Sequence, residues 1–248
     1  IDGSVVDWQP DPDAAVYTLT LASQALYVGG AFATIAGQPR RAVAAFDVAR
    51  GVMTGWDPSA NGSVLCLAAT GDGIFAGGEF DSIGAEHRRF LAKLDATAGH
   101  AMSWRADAND AVAALCVAES TLFAGGYFST LGGQDRRCIG ALDVRTGGVL
   151  DFNPRAVPAP PNMYAPQFPT VAALALVDSV LYVGGTFDSI GGSAQSSLAA
   201  LSVRTGQLSA WAPILGPRYS GFPPPPVNAI ERVGDRLYVA GGFTSVDS

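Results

Sequence analysis

The chain has 248 residues, 48% hydrophobic and 15% charged, which suits a compact body with a sizeable core and argues against disorder. A net charge of −7 with only 15 Lys+Arg leaves no basic footprint for nucleic acid or an anionic membrane. No apolar run approaches the roughly 20 residues of a membrane span, so no nucleic-acid partner and no membrane insertion are expected from this segment.

In chain order, Gly3 to Trp8 comes first and matches Gly206 to Trp211. An apolar first segment then recurs, as in Val64-Leu65-Cys66-Leu67-Ala68 and Val171-Ala172-Ala173-Leu174-Ala175, followed by a polar turn such as Thr70-Gly71-Asp72-Gly73. The second segment is an aromatic-glycine phrase, present five times: Leu26 to Phe32, Ile74 to Phe80, Leu122 to Phe128, Leu181 to Phe187 and Leu237 to Phe243. Phe32, Phe80 and Phe128 are 48 residues apart; the next steps are 59 and 56. The third segment reads Arg89-Phe90-Leu91-Ala92-Lys93-Leu94-Asp95 or Leu198-Ala199-Ala200-Leu201 and ends in a turn of the type Asp143-Val144-Arg145-Thr146-Gly147. The fourth is short and ends at Trp8, Trp56, Trp104, Phe152 or Trp211, with Pro two residues on in all but the third copy.

Four short strands in about 48 residues, with tight turns and no helical periodicity, predict an all-β propeller of four-stranded blades. The repeats run 8–55, 56–103, 104–151 and 152–210, with a partial fifth at 211–248, in one domain. A two-sheet sandwich is the rival, but it rarely repeats so strictly. The chain is expected to begin with a fourth strand and to end after a second, as part of a longer chain with further blades or with a short tail missing. Glycine is costly inside a strand. The pairs Gly29-Gly30 and their copies therefore predict either an aromatic ring lying over bare backbone or a bulge. No helix start follows them, so they do not read as a phosphate loop.

Little reads as chemistry. Cys66, Cys116 and Cys138 occupy different repeat positions and read as small core filler rather than a disulfide framework. His87 and His100 fall at variable turn positions, where a solvent-facing side chain outweighs a base or ligand. No zinc spacing or calcium loop appears, and Asp13, Asp107 and Asp110 suit turns without an ion. No catalytic residue, metal or cofactor is assigned. The pairs Arg40-Arg41, Arg88-Arg89 and Arg136-Arg137 give way to Gln195-Ser196 in the fourth unit, where Ser202 also replaces Asp47, Asp95 and Asp143. Arg and Asp vanish together, which predicts an ion pair to an adjacent strand or blade; an anion-binding ring is the alternative. Asn61-Gly62-Ser63 is an N-glycosylation pattern at Asn61.

The repeat breaks twice, from Ala156 to Phe168 and from Gly216 to Pro226, both after the aromatic-x-Pro segment. Equivalent connections in neighbouring blades emerge side by side on one face. Proline-rich, aromatic loops lose little entropy on ordering. The partner-binding candidates are Pro160, Pro161, Met163, Tyr164, Phe168, Arg218, Tyr219 and Phe222.

The phrase aromatic-Val/Ala-Gly-Gly-x-Phe-x-x-Ile-Gly-Gly, then Leu-Ala-x-Leu-Asp, Thr-Gly and Trp/Phe-x-Pro, resembles the delta-60 repeat β-propeller family; Ala141-Leu142-Asp143 through Asp151-Phe152-Asn153-Pro154 is the closest stretch. The resemblance covers essentially the whole chain. It implies a non-enzymatic extracellular or cell-surface scaffold that holds a protein partner or a neighbouring subunit, or a glycan. A subunit of a surface filament is one alternative and a quinoprotein- or lyase-like enzyme another. The tryptophan-docking repeats of quinoproteins look similar at Asp-x-x-Thr-Gly, but the interval from Gly51 to Trp56 is one residue too long for them.

Overall fold

The computed structural model describes residues 8–158, 170–216 and 224–247. Every regular element among them is a strand, arranged as successive antiparallel sheets in a β-propeller-like repeat. The first strands are Val16–Ala22, Val64–Thr70, Val112–Ala118, Thr170–Val177 and Val227–Val233. Each pairs with a second strand: Ala25–Gly30, Gly73–Gly78, Thr121–Gly126, Val180–Thr186 and Arg236–Gly241. Third strands Val43–Asp47, Leu91–Leu94, Ile139–Asp143 and Leu198–Ser202 extend the first four sheets.

The expected fourth strand is a full ladder only in the first unit, as Val52–Met53. In the next three it shrinks to single bridges, Leu94–Ala101, Leu142–Val149 and Leu201–Leu208. Gly51, Gly99 and Gly147 all turn through positive φ five residues before the aromatic, so the turn does not explain why the first unit alone keeps a two-residue ladder.

One element was not foreseen. Between second and third strands lies a small hairpin, for example Thr34–Ile35 with Gln38–Pro39. Its two-residue loop, Ala36-Gly37, has positive φ at both positions, the type I′ geometry that matches strand twist. Ile35, Ile83, Leu131 and Ile190 anchor these hairpins in the core.

The core lies between sheets rather than within one. Tyr27, Val43 and Trp56 of one unit pack with Val64, Ile74 and Phe80 of the next, and the pattern repeats along the chain. The bare backbone at the glycine pairs is met by a ring at Gly30 alone, where a Cβ would lie 3.0 Å from the edge of Phe32. A Cβ on Gly29 or Gly77 would lie 2.8 or 2.7 Å from Cγ1 of Val64 or Val112, the valine that opens the following unit's sheet. The second glycine runs under a backbone carbonyl: Ser63 O over Gly78, Ala111 O over Gly126. That carbonyl accepts from the N–H just beyond, Glu79 or Tyr127. The irregularity faces the glycines from the first strand, where the register shifts between Val64 and Cys66 and at each equivalent place. So the irregularity lies on the partner strand rather than at the glycines themselves, and the closing Phe approaches the backbone only in the first unit.

The rings meet one another. Tyr27 and Trp56, Phe75 and Trp104, Phe123 and Phe152, and Tyr182 and Trp211 pair edge to face at 4.9–5.2 Å. Trp56 and Trp104 also donate Nε1–H to the carbonyls of Asp95 and Asp143 in the next unit.

Candidate functional site

Pro160, Pro161, Met163, Tyr164, Phe168, Arg218, Tyr219 and Phe222 lie outside the described residues. The stems of their loops do not. Beyond Phe152-x-Pro154, Val157 N–H donates to Ser189 O at 2.9 Å, on the small hairpin of the next unit. Beyond Trp211-x-Pro213, Ile214–Gly216 pairs with Ser245–Asp247, the matching stretch one unit later. The two stems therefore run along equivalent hairpins, on one side of the repeat.

Asn61 is exposed on that same side, but its amide has a local task. Its Oδ1 accepts from Asp81 and Ser82 N–H at 3.0 Å, and its Nδ2 donates to Asp81 Oδ1. Asp13 and Asn109 hold their hairpins in the same way. The two backbone donors keep the Asp13 carboxyl below its usual pKa. The stretches holding Asp13 and Asn109 share a repeat position in the sequence, whereas Asn61 read only as a glycosylation pattern; the 48-residue spacing of all three was the signal available.

Arg40 lies 3.6 Å from the Asp57 carboxylate on an adjacent stretch, but among the described residues no ion pair joins the recurrent arginines to Asp47, Asp95 or Asp143, and each set has its own task. Arg40, Arg88 and Arg136 donate Nη1–H to the carbonyl of the preceding residue and Nη2–H to Thr54, Met102 and Leu150 O, at 2.8–3.2 Å. Asp95 and Asp143 turn back on the chain and accept from Thr97 and Ala98, or Arg145 and Thr146, N–H. The Thr146 hydroxyl, which also donates to Asp143, and then these backbone bonds lower the Asp143 pKa; the Ala98 and Thr97 bonds lower that of Asp95. The first arginine of each pair sits inside the fold as a structural clamp, whereas the second, Arg41, Arg89 and Arg137, is exposed at the same repeat position.

A central cavity of about 550 Å³ is lined by all five first strands, through Tyr17, Leu65, Ala113, Ala172 and Asn228 among others. Glu79 and Tyr127 stand at its rim; the rest of the wall is largely apolar. A second cavity, of about 390 Å³, lies where the fourth unit meets the fifth, between Ala194 to Ser197, Ala212 to Leu215 and Pro224-Pro225.

The three cysteines are free thiols. Burial raises the pKa of Cys116 to about 11 and of Cys138 to about 12, and that of Cys66 further. Both histidines are exposed, but His87 lies in a strand of the small hairpin, paired with Ser82, rather than in a turn; no cluster of metal-ligating side chains occurs among the described residues.

No family model matches the chain, and no curated protein matches it. Solved structures do. The mitotic checkpoint complex contains a chain with a TM-score of 0.54 at 14% identity, over 92% of this chain and 59% of that one. The computationally designed Ika4 protein aligns at a TM-score of 0.48 and 14% identity, over 79% of this chain and 95% of its own. The designed Ika8 protein aligns at 0.49 and 15%, over 94% and 70%. At such identities the first of these likenesses speaks to the fold alone.

Proposed function

We propose that the chain is a non-enzymatic β-propeller module, of four full units and a partial fifth, that holds a protein partner on the side where its two enlarged connections emerge. It belongs in this reading to an extracellular or cell-surface protein of the delta-60 repeat kind. The observation that carries the proposal is the equivalence of the two stems: Val157 bonds Ser189 O, and Ile214–Gly216 pairs with Ser245–Asp247 one unit later. Both repeat-breaking, proline-rich sequences thus start from matching points of adjacent units. Proline-rich, aromatic sequences lose little entropy on ordering when a partner binds.

A second reading, a subunit of a filament, draws on different residues. Leu19 and Leu21 at one end of the repeat and Val233 and Tyr238 at the other are exposed, although their counterparts in the middle units are covered. In this reading those end faces stack on neighbouring subunits.

The test is proximity labelling of the intact protein, followed by binding measurements of the partner so found. Deleting 159–167 and 217–223 should abolish its binding and leave the thermal transition in place. Unchanged binding would sink the loop reading. A polymer on sedimentation that Leu19→Asp disperses would support the filament instead.

A further inference from the structure

The geometry points to the cavity between the fourth and fifth units as a binding site for a guanidinium group, such as the side chain of an arginine. It stands where three sister units carry a guanidinium of their own. Arg40, Arg88 and Arg136 each reach the carbonyl of the preceding residue and that of the residue fourteen places on. Arg40 also lies 3.6 Å from Asp57, the residue after Trp56. The fourth unit puts Gln195 at the arginine's position and Ala212 at that of Asp57, and both line the cavity with Ala194, which supplies the preceding carbonyl.

The backbone of the missing clamp is kept. Ser209 N donates to Ala200 O at 2.8 Å, as Thr54 N does to Ala45 O and Leu150 N to Ala141 O. Gln195 is too short to take over. Its Nε2 turns instead to Leu198 O and Pro213 O, at 2.7 and 3.1 Å. The floor carries Ser197, 1% exposed, whose Oγ has no hydrogen-bond partner. A buried hydroxyl left so costs about 1–3 kcal/mol, and a donor entering the cavity would satisfy it. Asp188 adds a carboxylate to the wall, and Ile214 with Pro224-Pro225 offers an apolar flank for the methylene stem. The acid balance of the chain, −7 overall, favours a cation. Of the two residues whose carbonyls would form the clamp, Ala194 lines the cavity and Ser209 does not; arginine's planar fork suits the Ala194 carbonyl together with the Asp188 carboxylate better than lysine's point charge does.

The site shares Ile214, Leu215 and Pro224-Pro225 with the second connection, but its test does not depend on the loop reading, since a small probe is titrated with no protein partner present. The probe is N-acetyl-L-arginine amide, titrated into the intact protein and followed by amide chemical shifts. Saturable shifts at Ala194, Ser196 and Ala212 are expected, with the lysine analogue binding at least tenfold more weakly. Gln195→Arg should fill the cavity from within, weaken the probe at least tenfold and raise the melting temperature. Ser197→Ala, which matches Ala42, should weaken the probe while leaving the melting temperature no lower, and a lowered melting temperature with unchanged binding would count against the assignment. No saturable shift, shifts that map elsewhere, or undiminished binding by Gln195→Arg would overturn the assignment.

Discussion

A Cβ placed on Gly125 would lie 2.5 Å from Cγ1 of Val171, so the valine opening one sheet occupies the room its predecessor leaves by having no side chain. Gly126, one residue on, has the backbone carbonyl of Ala111 above it instead. The neighbours differ in how far they can yield. Gly125→Ala should cost about 2–3 kcal/mol through overpacking. Combined with Val171→Ala, which frees the space, it should cost clearly less than the two single changes added, a coupling of about 1 kcal/mol or more. Gly126→Ala should be worse than Gly125→Ala and show no such rescue. Urea midpoints of the variants decide the matter; strict additivity at 125 and 171 would refute the socket.

Ser197 combines a strained backbone with an idle hydroxyl. Its φ is 62°, shared with Ala42, Phe90 and Cys138 at the same repeat position. Ser197→Gly removes both penalties, against the entropy glycine adds to the unfolded chain. A net gain of about 1 kcal/mol is expected, read as a higher melting temperature. A loss would mean that the hydroxyl has a bound partner in solution.

Lys93 replaces the alanines found at 45, 141 and 200, and is almost wholly buried. Its Nζ lies 2.7 Å from Asp72 Oδ2, bonds Val144 O and sits over the Phe75 ring. The lysine bond, then that from Thr70, lowers the Asp72 pKa below 3.8. A lowered carboxyl stabilises the fold above its unfolded value, and that stability goes as pH falls through the lower folded value. Asp72→Ala should therefore destabilise by about 1–3 kcal/mol at pH 7. The difference from wild type should close below about pH 3.8. Lys93→Met should stay within about 1 kcal/mol of wild type, because Asp72 remains hydrated at the surface. An acid limb identical in wild type and Asp72→Ala would contradict this.

The thiols should be slow. With Cys116 at about 11 and Cys138 at about 12, little thiolate exists at pH 8. Iodoacetamide should label the native protein slowly, with Cys116 first, and all three cysteines promptly in urea. Fast native labelling of Cys66 would contradict its burial.

The repeat spacing made the fold legible, because a phrase such as Leu122-Phe123-Ala124-Gly125-Gly126 carries its own strand and its own break. What filled the break was not legible. Val171 is distant in sequence from Gly125, and nothing near either residue announces the other. The hairpin at Thr34–Pro39 was hidden in what read as the tail of a phrase. Arg136 and Asp143 seemed to be partners because both change in the fourth unit; in space each serves its own backbone. For the site, the loop stems could be inferred from unequal spacing. The Gln195 cavity could not, since its meaning depends on carbonyls that only the sister clamps reveal.

Ala240 stands where the other four units have the glycine that receives the next valine. Each repeat carries one half of a joint at its start and the complementary half in its middle. An in-frame gene duplication of any of the first four would therefore bring both halves together, and lengthen the array without further mutation. A copy of the fifth would not. Growth by duplication from that end would first require the methyl group of residue 240 to be lost.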